Sequence, residues 1–478
     1  MYQASKISLK SVTQNQIYVT FILALSFLIP LGAVPKFDNY PWLSGVKIIF
    51  AFLFLYFGAS YFLKKQAVKF GKLESILVLF SFSLLPSIFF KADLKQSLIT
   101  FISVLGYCLL VVVLRSTISN FKRLNFLVNA FLASSLFAVF IAFYQFFTGK
   151  RFFTSGYTRP FLYFIEDSIV IQGTENNANA FAYLMIAPAV LSYAYSVVTE
   201  DPKKSMKYFL LSMPFVFTSY LTLSRAAIFS IYVPFISLSL FYIFFMKGKI
   251  SKILKFGTLH LFLIFCWTIV YPTHGPEILI SEKPLVERSK VLKAINKAIP
   301  RKFLIDTTNY GYNMNKDYAP SNNEKYYDLA VKQTSSQWRL LVWKINANLF
   351  LKNPVFGVGY DQSKFYATGL PGQTRGDVLT PHNNYLGVAS ELGLFGLIPF
   401  FAFFILTLVY AVKSIIRSSG EQKVVLFVLT FGMLSHLFFG IFHTTLINIS
   451  AWYVVGLLVC ALSISGSYKS DFFEKNKE

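Results

Sequence analysis

The chain has 478 residues, 55% of them hydrophobic and 14% charged, against roughly 25% charged in an average soluble domain, so a soluble globular protein is excluded. Its net charge of +23 is spread over many short segments. A nucleic-acid-binding protein would gather that charge on one polar face, whereas dispersed charge fits membrane topology and contact with anionic lipid head groups.

Taken in order, the sequence is a series of apolar runs, and a bilayer core about 30 Å thick needs about 20 such residues per helix. Twelve runs qualify, near 17–34, 45–63, 74–90, 97–114, 125–147, 179–198, 207–223, 227–246, 255–271, 393–412, 424–442 and 447–465. The predicted fold is therefore an all-α polytopic membrane protein with about twelve transmembrane helices. The first run follows Lys6 and Lys10 as a signal peptide would, but it is long and has no small-x-small site before Pro35, so it is read as a retained span. Cytoplasmic loops carry an excess of lysine and arginine. With both termini inside, the cytoplasmic segments are the N-terminal tail, 64–72, 115–123, 200–207, 247–255, 413–423 and the C-terminal tail, and each contains such residues. The opposite loops 35–44, 91–96 and 442–445 contain few. Cys108, Cys266 and Cys460 lie in three separate spans, which leaves no disulfide framework and no Cys-type zinc site.

Two outward segments interrupt the rhythm. The expected organisation is nine spans in 1–271 with a smaller loop at 148–178, a large outer loop at 272–392, then three spans and a cytoplasmic tail in 393–478. Up to Asp377 the large loop has 15 Lys/Arg against 9 Asp/Glu and is rich in Tyr and Asn; it is too long and too aromatic for a linker. Within it, SSQWRLLVWKINANLFLKNP (335–354) predicts a helix. Trp338, Leu341, Val342, Ile345 and Leu349 recur on one apolar face, Ser335 or Ser336 can cap its start and Asn353-Pro354 ends it. Arg339, Trp343 and Asn346 form a neighbouring, more polar stripe. A turn follows at GVGY (357–360), which lacks the Lys-Ser/Thr ending of a phosphate loop. The loop closes with TPHNNYLGVASELG (380–393). Asn383 or Asn384 can cap the helix that continues into the tenth span, so His382 is placed at the outer membrane face beside a helix N-terminus, where an anion is favoured.

Five histidines are present. His260 and His436 lie inside spans and read as packing residues; His274 and His443 read as outer loop residues with no organised polar company. His382, with Asn383, Asn384 and Glu391 close in sequence, is either a general base or part of a capping cluster. Arg225, in SYLTLSRAAIFS, sits between the seventh and eighth spans, where a charge near hydrocarbon is costly; it either snorkels to head groups or serves a site. Arg339, Lys150, Arg151 and Arg159 taken singly are solvated residues. Guanidinium groups pair with phosphate, so a histidine and several arginines on one face make a pyrophosphate substrate plausible. For metal binding, there is no Asp-x-Asp or His-Glu-x-x-His, and Asp38, Glu166, Asp167 and Glu175 are scattered. Asp38, in the first outer loop, is a weaker alternative base.

In order along the chain, Leu223-Ser224-Arg225, Arg339 with Trp343, Asn353-Pro354 leading to Gly357-Val358-Gly359, His382 with Asn384, and Glu391-Leu392-Gly393 resemble the O-antigen ligase and polymerase family of bacterial membrane glycosyltransferases. The resemblance covers roughly 210–410; Ala226 stands where the family often has Gly, and 275–330 match nothing. It implies a GT-C-like, metal-independent, inverting enzyme of the bacterial inner membrane without a cofactor. Its site would face the periplasm, and its partners would be an undecaprenyl-pyrophosphate glycan donor, a lipid A-core or glycan acceptor and the bilayer. It further implies that His382 is the base, that Arg225 and Arg339 hold the pyrophosphate, and that Asn384 and Glu391 orient the histidine or the acceptor. The ligase reading is preferred to a polymerase; a flippase or transporter of lipid-linked sugars is the alternative from another class, disfavoured by the absence of related halves.

Overall fold

A computed structural model describes residues 9–31, 36–37, 40–64, 71–88, 94–148, 178–222, 224–246, 248–250, 252–254, 257, 260, 335–363, 381–444 and 448–466. The smaller outer loop with Lys150, Arg151, Arg159, Glu166, Asp167 and Glu175, most of the ninth span, Asp38, Cys266, His274 and the loop up to 334 lie outside these residues. The elements in order are α1 (Leu9–Leu28), a two-stranded antiparallel ribbon of β1 (Lys36–Phe37) and β2 (Tyr40–Ser44), α2 (Gly45–Lys64), α3 (Lys72–Phe82), α4 (Leu94–Thr117), α5 (Phe121–Thr148), α6 (Ala178–Val198), α7 (Pro202–Leu221), α8 (Arg225–Met246), α9 (Ser335–Lys352), α10 (Asn384–Arg417), α11 (Gly420–Phe439) and α12 (Ile449–Ile464). Ten of the twelve sequence-read spans coincide with helices, and most of the ninth lies outside the described residues. Six helices among the described residues are long and apolar enough to cross a membrane, and α1, α2 and α12 contribute shorter apolar stretches. The third run differs: α3 has 11 residues and gives way to a turn and the 3-10 stretch Leu85–Ile88.

The helix at the centre is α6, apolar all round and buried throughout its membrane-length window, as expected for a helix surrounded by others; it packs against α7, α8 and α11. On the periphery the pattern reverses. Phe52, Phe140, Ile236, Phe244 and Ile405 remain more than half exposed, a surface suited to hydrocarbon and not to water. His260 is buried among the rings of Tyr193, Phe209 and Phe235, with centroids 5.3, 5.4 and 5.0 Å away, in keeping with its reading as a packing residue.

Arg115 ties three helices together: Arg115 Nη1 of α4 lies 3.1 Å from Glu74 Oε1 of α3, and Arg115 Nε donates to Ser463 Oγ of α12 at 3.2 Å. The 3.1 Å approach is ionic contact without hydrogen-bond alignment; the other carboxylate oxygen of Glu74 accepts the Gly71 N–H at 3.0 Å.

α10 contains a break. A straight helix of 34 residues would be about 51 Å long, but Gly393 has φ 61 and interrupts it. The ring of Tyr385 stacks on Phe401 at 5.6 Å, although 16 residues of straight helix would separate them by about 24 Å. The segment 384–392 therefore folds back along the start of 394–417, and the second segment makes the crossing.

Candidate functional site

The break would leave backbone carbonyls and amides without partners, and the turn after α9 supplies them. Val358 and Gly359 N–H donate to the carbonyls of Ser390 and Glu391 at 3.0 and 2.9 Å, while Leu394 and Phe395 N–H donate to the carbonyls of Pro354 and Val355 at 2.8 and 3.0 Å. The two chains lie so close that a Cβ at Gly357 would stand 2.3 Å from the Glu391 carbonyl carbon and one at Gly393 2.4 Å from that of Val355. Both glycines also have positive φ. The two glycine motifs read separately in the sequence thus form one backbone joint. Gly393→Ala is expected to cost about 2 kcal/mol or more from the left-handed backbone alone, and the overlap adds to it; a fall in thermal midpoint in detergent, with transfer activity reduced in step, is the measurement.

This joint places α9. Its bounds agree with the predicted helix, and its docked side takes residues from both stripes read in the sequence. Val342 of the apolar face and Asn346 of the polar stripe are fully buried, while Leu340, on neither, is 55% exposed. The polar member is satisfied there, since Ser390 Oγ donates to Asn346 Oδ1 at 2.7 Å. Asn346 pairs with Ser390 and Pro354 with Leu394, so α9 and the first segment of α10 run side by side in the same direction. Seven residues back on each, about 10 Å along the axes, are Arg339 and Asn383.

His382 sits at this end. Asn383 is the cap, its Oδ1 accepting Tyr385 and Leu386 N–H at 2.9 Å each, so the capping reading belongs to Asn383 and not to the histidine. His382 has φ 46, a left-handed conformation that costs a non-glycine residue about 1–3 kcal/mol and persists only where neighbours over-determine it. The neighbours are in the turn after α11: Asn383 Nδ2 donates to Ile441 O at 2.9 Å and Asn384 N–H to Gly440 O at 2.7 Å. This clamp brings the ring of His443 edge-on to that of His382, with centroids 5.4 Å apart. Arg339 also acts electrostatically on His443. The loop histidine read from the sequence as isolated therefore stands against His382. No local pattern in FHTT could announce it, because its partners lie some 60 and 100 residues away in sequence.

The remaining predicted residues are placed as follows. Asn384 is buried against Gly440 and lines a small pocket with Phe400, Phe404, His436 and Trp452. Glu391 is buried, and its carboxylate accepts Ser363 Oγ at 2.7 Å and backbone N–H groups of the same turn; none of its hydrogen bonds reaches His382, and it secures the joint. Tyr360 beside it is held well above the usual phenol range by burial, then by the Glu391 and Asp361 charges. Position 225 opens α8, one turn before Phe229, whose ring is 6.0 Å from that of Phe442, the neighbour of His443. Trp343 Nε1 and Thr444 Oγ1 are buried polar atoms without partners among the described residues. There is no group of three His, Cys, Asp or Glu placed to hold a metal among those residues.

Residues 210–401 match the model of the O-antigen ligase family. The O-antigen ligase match contains Arg225, Arg339, His382, Asn384 and Glu391 and stops short of His443. A Rickettsia prowazekii (strain Madrid E) protein named as a polysaccharide ligase is 37% identical over 90 residues, 17% of this chain and 22% of that relative's length. The segment matched by the O-antigen ligase model thus includes the joint and His382.

Proposed function

We propose that the chain is an O-antigen ligase-type glycosyltransferase of the bacterial inner membrane, with about twelve spans and a site open to the periplasm. It would move a glycan from undecaprenyl pyrophosphate to a sugar of lipid A-core. The observation that carries this reading is the clamped His382, held with left-handed backbone beside a helix N-terminus and against His443, on which the Arg339 charge acts, inside the segment similar to O-antigen ligases.

In the reaction, the acceptor hydroxyl oxygen forms a bond to the anomeric carbon and gives its proton to the His382 imidazole, a group that titrates near neutral pH. The bond from that carbon to the pyrophosphate oxygen breaks, the electron pair leaves with the oxygen, and the configuration inverts. Arg225 and Arg339 stabilise the charge growing on the departing pyrophosphate, so no strong general acid is needed. Asn384 orients the acceptor or the histidine; Glu391 does so through the joint. Lipid-exposed helix faces accommodate the polyprenyl chain.

The test is transfer by the purified full chain in nanodiscs, given an undecaprenyl-pyrophosphate glycan with and without lipid A-core. Glycan on the core is the expected product. Elongation without core would make the protein a polymerase, and movement of intact lipid-linked sugar across the bilayer with no new bond would make it a transporter.

A further inference from the structure

We propose that His443, outside the O-antigen ligase match, is a positioning residue that fixes the imidazole of His382 in its working orientation. The proposal rests on the reading of His382 as proton acceptor.

Two histidines on separate elements meet here because the backbone on either side is pinned. Asn384 N–H bonds to Gly440 O, Asn383 Nδ2 bonds to Ile441 O, and His382 and His443 meet just beyond these two bonds. His443 is held from three further directions. Its ring stacks on Phe439 at 5.5 Å and an interplanar angle of 17°. Its Nδ1 lies 3.3 Å from Thr444 O, which assigns the proton to Nδ1 and the lone pair to Nε2. Its backbone N–H donates to Phe439 O at 3.0 Å. The ring thus has a fixed plane and a fixed tautomer, and it presents this to His382 at 80°. Burial pushes His443 below the usual imidazole range, the Thr444 carbonyl opposes that shift and the Arg339 charge reinforces it, so the ring is neutral near pH 7 and sets no second positive charge against His382. A base misplaced by about 1 Å can lose about 100-fold in rate, which gives a rigid neighbouring ring a purpose.

The experiment compares His443→Ala and His443→Phe with the native chain. Only five histidines are present, so ring-labelled histidine NMR in detergent resolves them, and His382→Ala assigns the signal of interest. For His443→Ala the expected result is a displaced or broadened His382 signal and kcat reduced about 10- to 100-fold with donor KM and thermal midpoint unchanged. His443→Phe keeps an aromatic ring on Phe439 and against His382, and is expected to recover most of kcat. A purely structural His443 would lower the thermal midpoint and leave kcat of the folded protein intact; an unmoved His382 signal, or unchanged kcat in His443→Ala, overturns the proposal. A displaced signal in a protein whose native form transfers no glycan overturns the transferase reading and the catalytic purpose of the pair, while the ring contact itself stands.

Discussion

Replacing His382 with alanine is expected to reduce glycan transfer by about 10²–10⁴-fold, the usual contribution of a positioned base, with donor binding retained because the arginines remain. The same substitution leaves the backbone strain as it was, since a φ of 46 is unfavourable for histidine as for alanine, and the cap is supplied by Asn383. Little change in thermal midpoint is therefore expected. Loss of transfer at unchanged stability, read as kcat beside a binding isotherm for the undecaprenyl-pyrophosphate glycan, separates chemistry from folding. Full activity in His382→Ala would leave the residue a mere hinge between the large loop and α10.

Substituting Arg115 by methionine is expected to cost about 3–5 kcal/mol, because it removes an ionic partner of the Glu74 carboxylate inside the bundle. Glu74 is fully buried and the Arg115 side chain is 9% exposed, so water cannot replace the lost partner. α12 loses its bond from Arg115 to Ser463 at the same time. The double variant Glu74→Leu/Arg115→Met is expected to regain most of the thermal midpoint, since apolar replacement of both partners removes the desolvation cost together with the attraction. A double variant as unstable as the single one would show that the bond to Ser463, and not the charge balance, holds the three helices.

Much of this protein was legible in its sequence because the bilayer reduces the choice of structure: uninterrupted apolar runs must become helices when no water can satisfy the backbone. Hence α4, α5, α6, α8, α11 and α12 lie where hydropathy placed them, and α9 has its predicted bounds. α3 was less legible, since an apolar run records hydrophobicity and not whether the helix continues through it. The site was partly legible: Arg339 taken alone read as a solvated residue, whereas His382 and the glycine motifs stood out singly, as did the asparagine cap. Their relation did not. The docked side of α9 joins Val342 of the apolar face to Asn346 of the polar stripe, because Ser390 offers Asn346 a hydrogen bond, and Glu391 turns toward Ser363 and the joint. By itself the sequence determined the helices, their order and the residue types available for chemistry. Only the tertiary structure decided that α10 folds back at Gly393 and that His443 stands against His382, because both depend on hydrogen bonds between segments far apart in the chain, which no local periodicity records.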